Sequence, residues 1–113
     1  MAITNGMFPL LPGKEDAFRS FVKEVSGARL DQFNAQQARG DIRRETWTLQ
    51  QTPMGMFILV WFDGDVEKVL TDLATDDSEF TAWFRAQVLE ITGVDLAAPS
   101  DDPPPEVVLD WTA

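Results

Sequence analysis

The chain has 113 residues, 44% hydrophobic and 25% charged, with a net charge of −10. That is enough for one domain with a real core and too little for two. It contains no Cys, no His and no Tyr, which excludes disulfides, thiolate and iron–sulfur sites, Cys nucleophiles, Ser-His-Asp triads and His-ligated haem, zinc or iron. Any catalysis has to use carboxylates, Lys, Arg, Ser, Thr, Asn, Trp or a bound cofactor. Residues 1–62 sum to +1 and residues 63–113 to −11. Arg39, Arg43 and Arg44 are too few for the basic face that nucleic acid requires, and the same shortage disfavours anionic membranes. No apolar run approaches the ~20 residues that span a bilayer. The N-terminal MAITNGMFPLLPGKED lacks the basic start and long apolar stretch of a signal peptide. The expectation is a cytoplasmic protein, with no nucleic-acid or membrane partner, whose acidity serves solubility.

Residues 2–10 read as a short strand in which Gly6 marks a bulge or a close backbone approach. Pro9 and Leu11-Pro12-Gly13 end it. Lys14 to Ser26 reads as a helix, with Phe18, Phe21, Val22 and Val25 at i, i+3, i+4 and i+7. Ala28 to Arg39 continues as a second helical piece carrying Leu30 and Phe33, with Gly40 as a left-handed stop. Residues 42–52 read as a strand that places Arg43, Glu45, Trp47, Leu49 and Gln51 on one face. Arg44, Thr46, Thr48 and Gln50 lie on the other. Thr52-Pro53-Met54-Gly55 is a tight turn into a strand from Met56 to Phe62, so residues 42–62 form an antiparallel hairpin.

Asp63-Gly64 is expected to break that strand. Asp65 caps a helix bearing Val66, Val69, Leu70 and Leu73. Ser78 caps another bearing Phe80, Trp83, Phe84, Val88 and Ile91, which Gly93 ends. Residues 97–105 form a proline-rich acidic connector to a last strand, Glu106 to Thr112, with Val107, Leu109 and Trp111 on one face. The single domain, residues 1–113, is therefore α+β with the ferredoxin-like order β-α-β-β-α-β. It should have a four-stranded antiparallel sheet, the first and third strands central, and split helices on one face.

Met56 to Phe62 is apolar at all seven positions. The helices cover one face of that strand. The other presents either Met56, Ile58, Val60 and Phe62 or Phe57, Leu59 and Trp61, and the first set is the candidate dimer interface. Either set left in water makes a patch larger than monomers usually tolerate. No helix remains to cover it, so a second copy packing sheet on sheet is expected.

The strand order and the doubly apolar third strand resemble the dimeric α+β barrel superfamily, which includes antibiotic-biosynthesis-type monooxygenases. The stretches PLLPGKEDAFRSFV, RRETWTL and SEFTAWFRAQVLEITGVDL look like a small bacterial family of unknown function with that fold. The resemblance implies a cavity between helices and sheet or at the dimer seam. It carries no catalytic residue across, since the haem-handling members use a histidine this chain lacks.

Candidate ligand-binding residues are Trp47, Trp61 and Trp83, which can wall an aromatic hollow or simply pack the core. Glu45 shares a face with Trp47, and if buried it must be paired or protonated; Arg43 is a candidate partner. Asn5 on the first strand would, by the resemblance, hold a substrate oxygen. Asp63-Gly64-Asp65 starts like a calcium loop, but Lys68 and Ala74 stand where glycine and glutamate are required. No metal and no cofactor are expected. The expected function is that of a homodimer binding a small apolar or aromatic molecule. The alternatives are a cofactor-free oxygenase or isomerase and an acidic protein-interaction domain.

Overall fold

In the computed structural model, which describes residues 2–98 and 102–113, a three-stranded antiparallel sheet carries four helices. The chain runs β1 (Ala2–Pro9), α1 (Glu15–Val25), α2 (Leu30–Arg39), β2 (Arg44–Thr52), β3 (Gly55–Gly64), α3 (Val66–Thr75) and α4 (Glu79–Thr92). The fold is α+β, with strand order β1-β3-β2. No helix among the described residues is long and apolar enough to cross a membrane.

The β2–β3 hairpin forms where the sequence places it, with Thr52 opposite Gly55. Thr52 Oγ1 accepts from the Met54 N–H and donates to the Gly55 carbonyl. Gly55 sits at φ +120°, a conformation only glycine adopts without strain. Strand β3 continues through Asp63 and Gly64 instead of breaking there, because β1 pairs with it as far as Ala2 opposite Gly64.

The expected fourth strand is not formed. Residues 106–113 have no ladder partner, and Val108 is as exposed as Leu109. A strand has to bond an edge and bury a face, and this segment, exposed throughout, does neither. The sheet therefore has three strands, and β1, expected near its centre, is an edge. Residues 99–101 of the expected connector lie outside the described residues.

The helices cover the face of β3 that carries Ile58 and Phe62, which are 4% and 6% exposed. Met56 and Val60 pack against the same core. Met56, Ile58, Val60 and Phe62 are thus the inner set, not an interface; Phe18, Phe21 and Val25 of α1 and Phe80, Phe84 and Ile91 of α4 complete the core with Leu10 and Ile58. Each buried Phe contributes roughly 1.5–3 kcal/mol by leaving water. The open face carries Phe57, Leu59 and Trp61 of β3, flanked in register by Pro9, Met7 and Asn5 of β1 and Gln50, Thr48 and Thr46 of β2.

Two glycines are required by close packing. A Cβ on Gly64 would stand 2.8 Å from Ile42 Cγ1, and one on Gly40 would stand 2.5 Å from Val69 Cγ2. Their proximity lets the Asp65 N–H reach the Gly40 carbonyl at 2.9 Å, fixing the α2–β2 corner against the start of α3. Gly40 itself is not left-handed; Asp41 takes that conformation at φ 52°. Both expected N-caps form: Asp65 accepts from the Lys68 N–H and Ser78 from the Thr81 N–H. Gly93 ends α4 at φ 78°. Gly6 makes a close approach rather than a bulge: its ladder with Val60 is continuous, and the Phe8 ring lies where its Cβ would press at 3.2 Å.

Buried Gln36 has an Nε2 with no hydrogen-bond partner. An orphaned buried donor costs about 1–3 kcal/mol. Gln36→Met, similar in length and without that donor, is expected to stabilise the fold by about 1 kcal/mol in urea unfolding; destabilisation would show that the amide is satisfied in solution.

The α3–α4 turn is held by charge. Arg39 reaches Asp72 at 2.8 Å and Asp76 at 3.4 Å, while Arg85 donates to the Leu73 and Asp76 carbonyls, both at 2.8 Å. Asp76 accepts from the Ser78 and Thr81 hydroxyls, both at 2.6 Å. Those hydroxyls, and the Arg39 charge after them, hold its carboxyl below the ordinary aspartate range. A folded-state value below the unfolded one gives stability that is complete above the unfolded value and lost as pH falls through the folded one. Asp76→Asn is therefore expected to lower Tm near pH 7, and the difference from wild type to shrink as pH falls through the lowered Asp76 value. A pH-independent difference between the two would contradict this.

Candidate functional site

β2 is a sheet edge, and the end of α1 and the inner side of α2 overhang it. Between them lies an open cleft of ≈ 450 Å³. Its apolar wall is Val22, Phe33 and Trp47; its polar groups include Gln37, Arg43 and Glu45. Phe33 and Gln37 stand one turn apart on α2, so they face β2 together. Glu45 and Trp47 alternate with outward Thr46 and present to the same side.

Trp47 is the hinge between cleft and core. Its ring stacks on Phe21, with centroids 5.7 Å apart and planes 11° from parallel, and meets the edge of Phe33 at 5.8 Å. Phe18 and Phe84 complete its surroundings at 6.3 and 6.1 Å. A Trp in such a setting needs one acceptor for its N–H. Glu45 supplies it: Oε2 accepts from Trp47 Nε1 at 2.5 Å, and Oε1 accepts from Gln37 Nε2 at 2.7 Å. The half-buried carboxylate is therefore satisfied by neutral donors, not by Arg43, which makes no ion pair among the described residues. The arrangement fixes the indole plane and leaves a rigid aromatic wall beside a few polar groups.

The sequence candidates fall into separate places. Glu45 and Trp47 come together in the cleft. Trp83 lies apart from them, across Phe21 at 5.4 Å, with the Arg29 guanidinium 4.2 Å over its ring and Phe80 at 5.7 Å. Arg29 also grips Glu79 with two hydrogen bonds, at 2.9 and 3.2 Å. Trp83 is half-buried, packed between Phe21, Phe80 and Arg29, and does not line the cleft. Asn5 and Trp61 are register partners on the open face of the sheet. Asn5 and Glu45 point to opposite sides of the sheet, so they do not converge on one small substrate. Phe33 and Gln37 were not singled out by sequence; their i, i+4 spacing was the available signal.

A second depression, of ≈ 490 Å³, lies over α3 beside Arg39, Lys68 and Asp72. It has no aromatic wall, and its cations are engaged by Asp72 and Asp41. Among the described residues no group of three or more Asp or Glu could hold a metal ion. No family model, no curated protein and no solved structure matches the chain.

Proposed function

We propose that the chain binds a small apolar or aromatic molecule in the β2-edge cleft and works as a homodimer of the dimeric α+β barrel type. The observation that carries the binding reading is Trp47, stacked from behind by Phe21 and pinned by Glu45 beside an open aromatic hollow. Aromatic walls with a few fixed polar groups suit small-ligand recognition. The experiment is a titration with naphthamide, an uncharged bicyclic aromatic, read by tryptophan fluorescence and thermal denaturation. Saturation should quench the emission and raise Tm, since ligand at 100 times Kd adds about 2.7 kcal/mol to the folded state. No quenching and no Tm rise at millimolar naphthamide would refute it.

The open sheet face favours the dimer. Ile3, Met7, Phe57, Leu59 and Trp61 share it, over strands that span roughly 30 Å by 14 Å. A patch of that size is at the limit of what monomers leave in water. The exposed side chains of Val107, Leu109 and Trp111 offer further apolar surface to the same association.

A further inference from the structure

β1 is the barer of the two sheet edges. Beyond its ladder with β3 it makes no hydrogen bond among the described residues, so its outward N–H and C=O groups are open to another strand. Sheet edges are commonly guarded by charged side chains or by a covering element. Ala2–Pro9 carries no charge at all. The β2 edge is guarded: it bears Arg44 and Glu45, and α1 and α2 overhang it.

The chain also holds a strand-patterned segment without a place. Residues 103–113 make no hydrogen bond or ion pair among the described residues. Within them Val107, Leu109 and Trp111 alternate with other side chains, and Leu109 and Trp111 are 82% and 77% exposed. Pro103, Pro104 and Pro105 come just before, a semi-rigid extended spacer that favours reach over a tight turn back. The open sheet face covers only about 400 Å² by its strand lengths and spacing. Stable dimers bury roughly 800 Å² per partner, so a sheet-on-sheet pair needs contact from elsewhere in the chain.

We infer that residues 106–112 of each copy pair antiparallel with the β1 edge of the other, so that two copies exchange a strand. The inference rests on the homodimer reading above and adds the element that closes the edge. The exchange is reciprocal, each copy giving one segment and receiving one, so it stops at a dimer. Period two and the prolines set the register. With the apolar set on the open face, Val107 lies opposite Met7, Leu109 opposite Asn5 and Trp111 opposite Ile3 of the second copy. Residues 106–112 then span Ala2–Phe8, and neither Pro105 nor Pro9 is asked for a ladder bond. The apolar seam of the open face is thereby widened by one strand in each copy.

The test uses the full chain in two forms. It has no native cysteine, so a nitroxide attached at Ala113→Cys is unique. That chain, free of isotope, is mixed with isotope-labelled wild type. The Ala2–Asn5 amide signals of the wild-type copy should broaden most and those of β2 least. The second form carries Val108→Pro and Leu109→Pro, which remove one N–H from each side of the segment. Its dimer dissociation constant, read by sedimentation, should rise by about tenfold or more. Broadening seen only when nitroxide and isotope share one chain would mean that the segment closes its own sheet, and would overturn the exchange. Broadening strongest in β2 would overturn the choice of edge. A dimer without broadening, or one indifferent to the two prolines, would overturn the exchange and leave the homodimer reading standing. A wild-type monomer would overturn both.

Discussion

Phe84→Ala is expected to cost about 3–5 kcal/mol, a large share of the roughly 5–15 kcal/mol that holds a domain of this size together. Phe84 is 7% exposed and touches four other rings: Phe21 at 5.2 Å, Phe80 at 6.0 Å, Trp47 at 6.1 Å and Phe33 at 6.3 Å. Truncation removes transfer free energy and leaves a hole among rigid rings that cannot collapse to fill it. The same ring supports Trp47 and Phe33, so the cleft wall should loosen with the core. Urea unfolding measures the first effect as a lower midpoint at unchanged slope. Tm should fall by more than about 12 °C. A loss below about 1 kcal/mol would show that the aromatic cluster is not the centre of the core. Phe84→Leu, which refills most of the volume, should cost less than half as much.

Leu59→Asp should abolish self-association. Leu59 sits mid-strand on the open face, between Met7 of β1 and Thr48 of β2. In a two-fold interface each substitution appears twice, so two carboxylates would be buried without partners in an apolar seam. That costs several kcal/mol, which is more than about 100-fold in the dimer dissociation constant. The isolated chain should lose little, because Leu59 is only half-buried there. Sedimentation at micromolar concentration should show a dimer for wild type and a monomer for the variant, both with the same circular dichroism. A variant that still dimerises would place the interface elsewhere.

Much of this fold is legible in the residues. The β2–β3 hairpin, the Asp65 and Ser78 caps, the Gly93 stop and the shared face of Glu45 and Trp47 all follow from local rules of period and turn chemistry. Which face of β3 is buried does not. Alternation identifies the inner side only when one side is polar, and Met56 to Phe62 is apolar on both. The last strand misleads for a related reason: Val107, Leu109 and Trp111 have the period of a strand, but period alone does not bring a segment onto an edge. Gly40 shows the same limit on a smaller scale. Its need for a missing Cβ comes from Val69, 29 positions along the chain, and the left-handed turn falls on Asp41. The cleft was half legible. Glu45 and Trp47 stand out from β2 alone, whereas Gln37 reaches Glu45 only after α2 has folded back over the edge.

The most direct measurement is a proton–nitrogen correlation spectrum of the four indole N–H groups during titration with naphthamide, with Trp47 assigned by its loss in Trp47→Phe. If the cleft binds aromatic molecules, the Trp47 signal shifts saturably together with a Gln37 side-chain amide, while Trp61 and Trp111 stay in place. A fixed Trp47 signal beside a moving Trp61 would put binding on the open face of the sheet, and four fixed signals would mean that the cleft does not bind aromatic molecules at all.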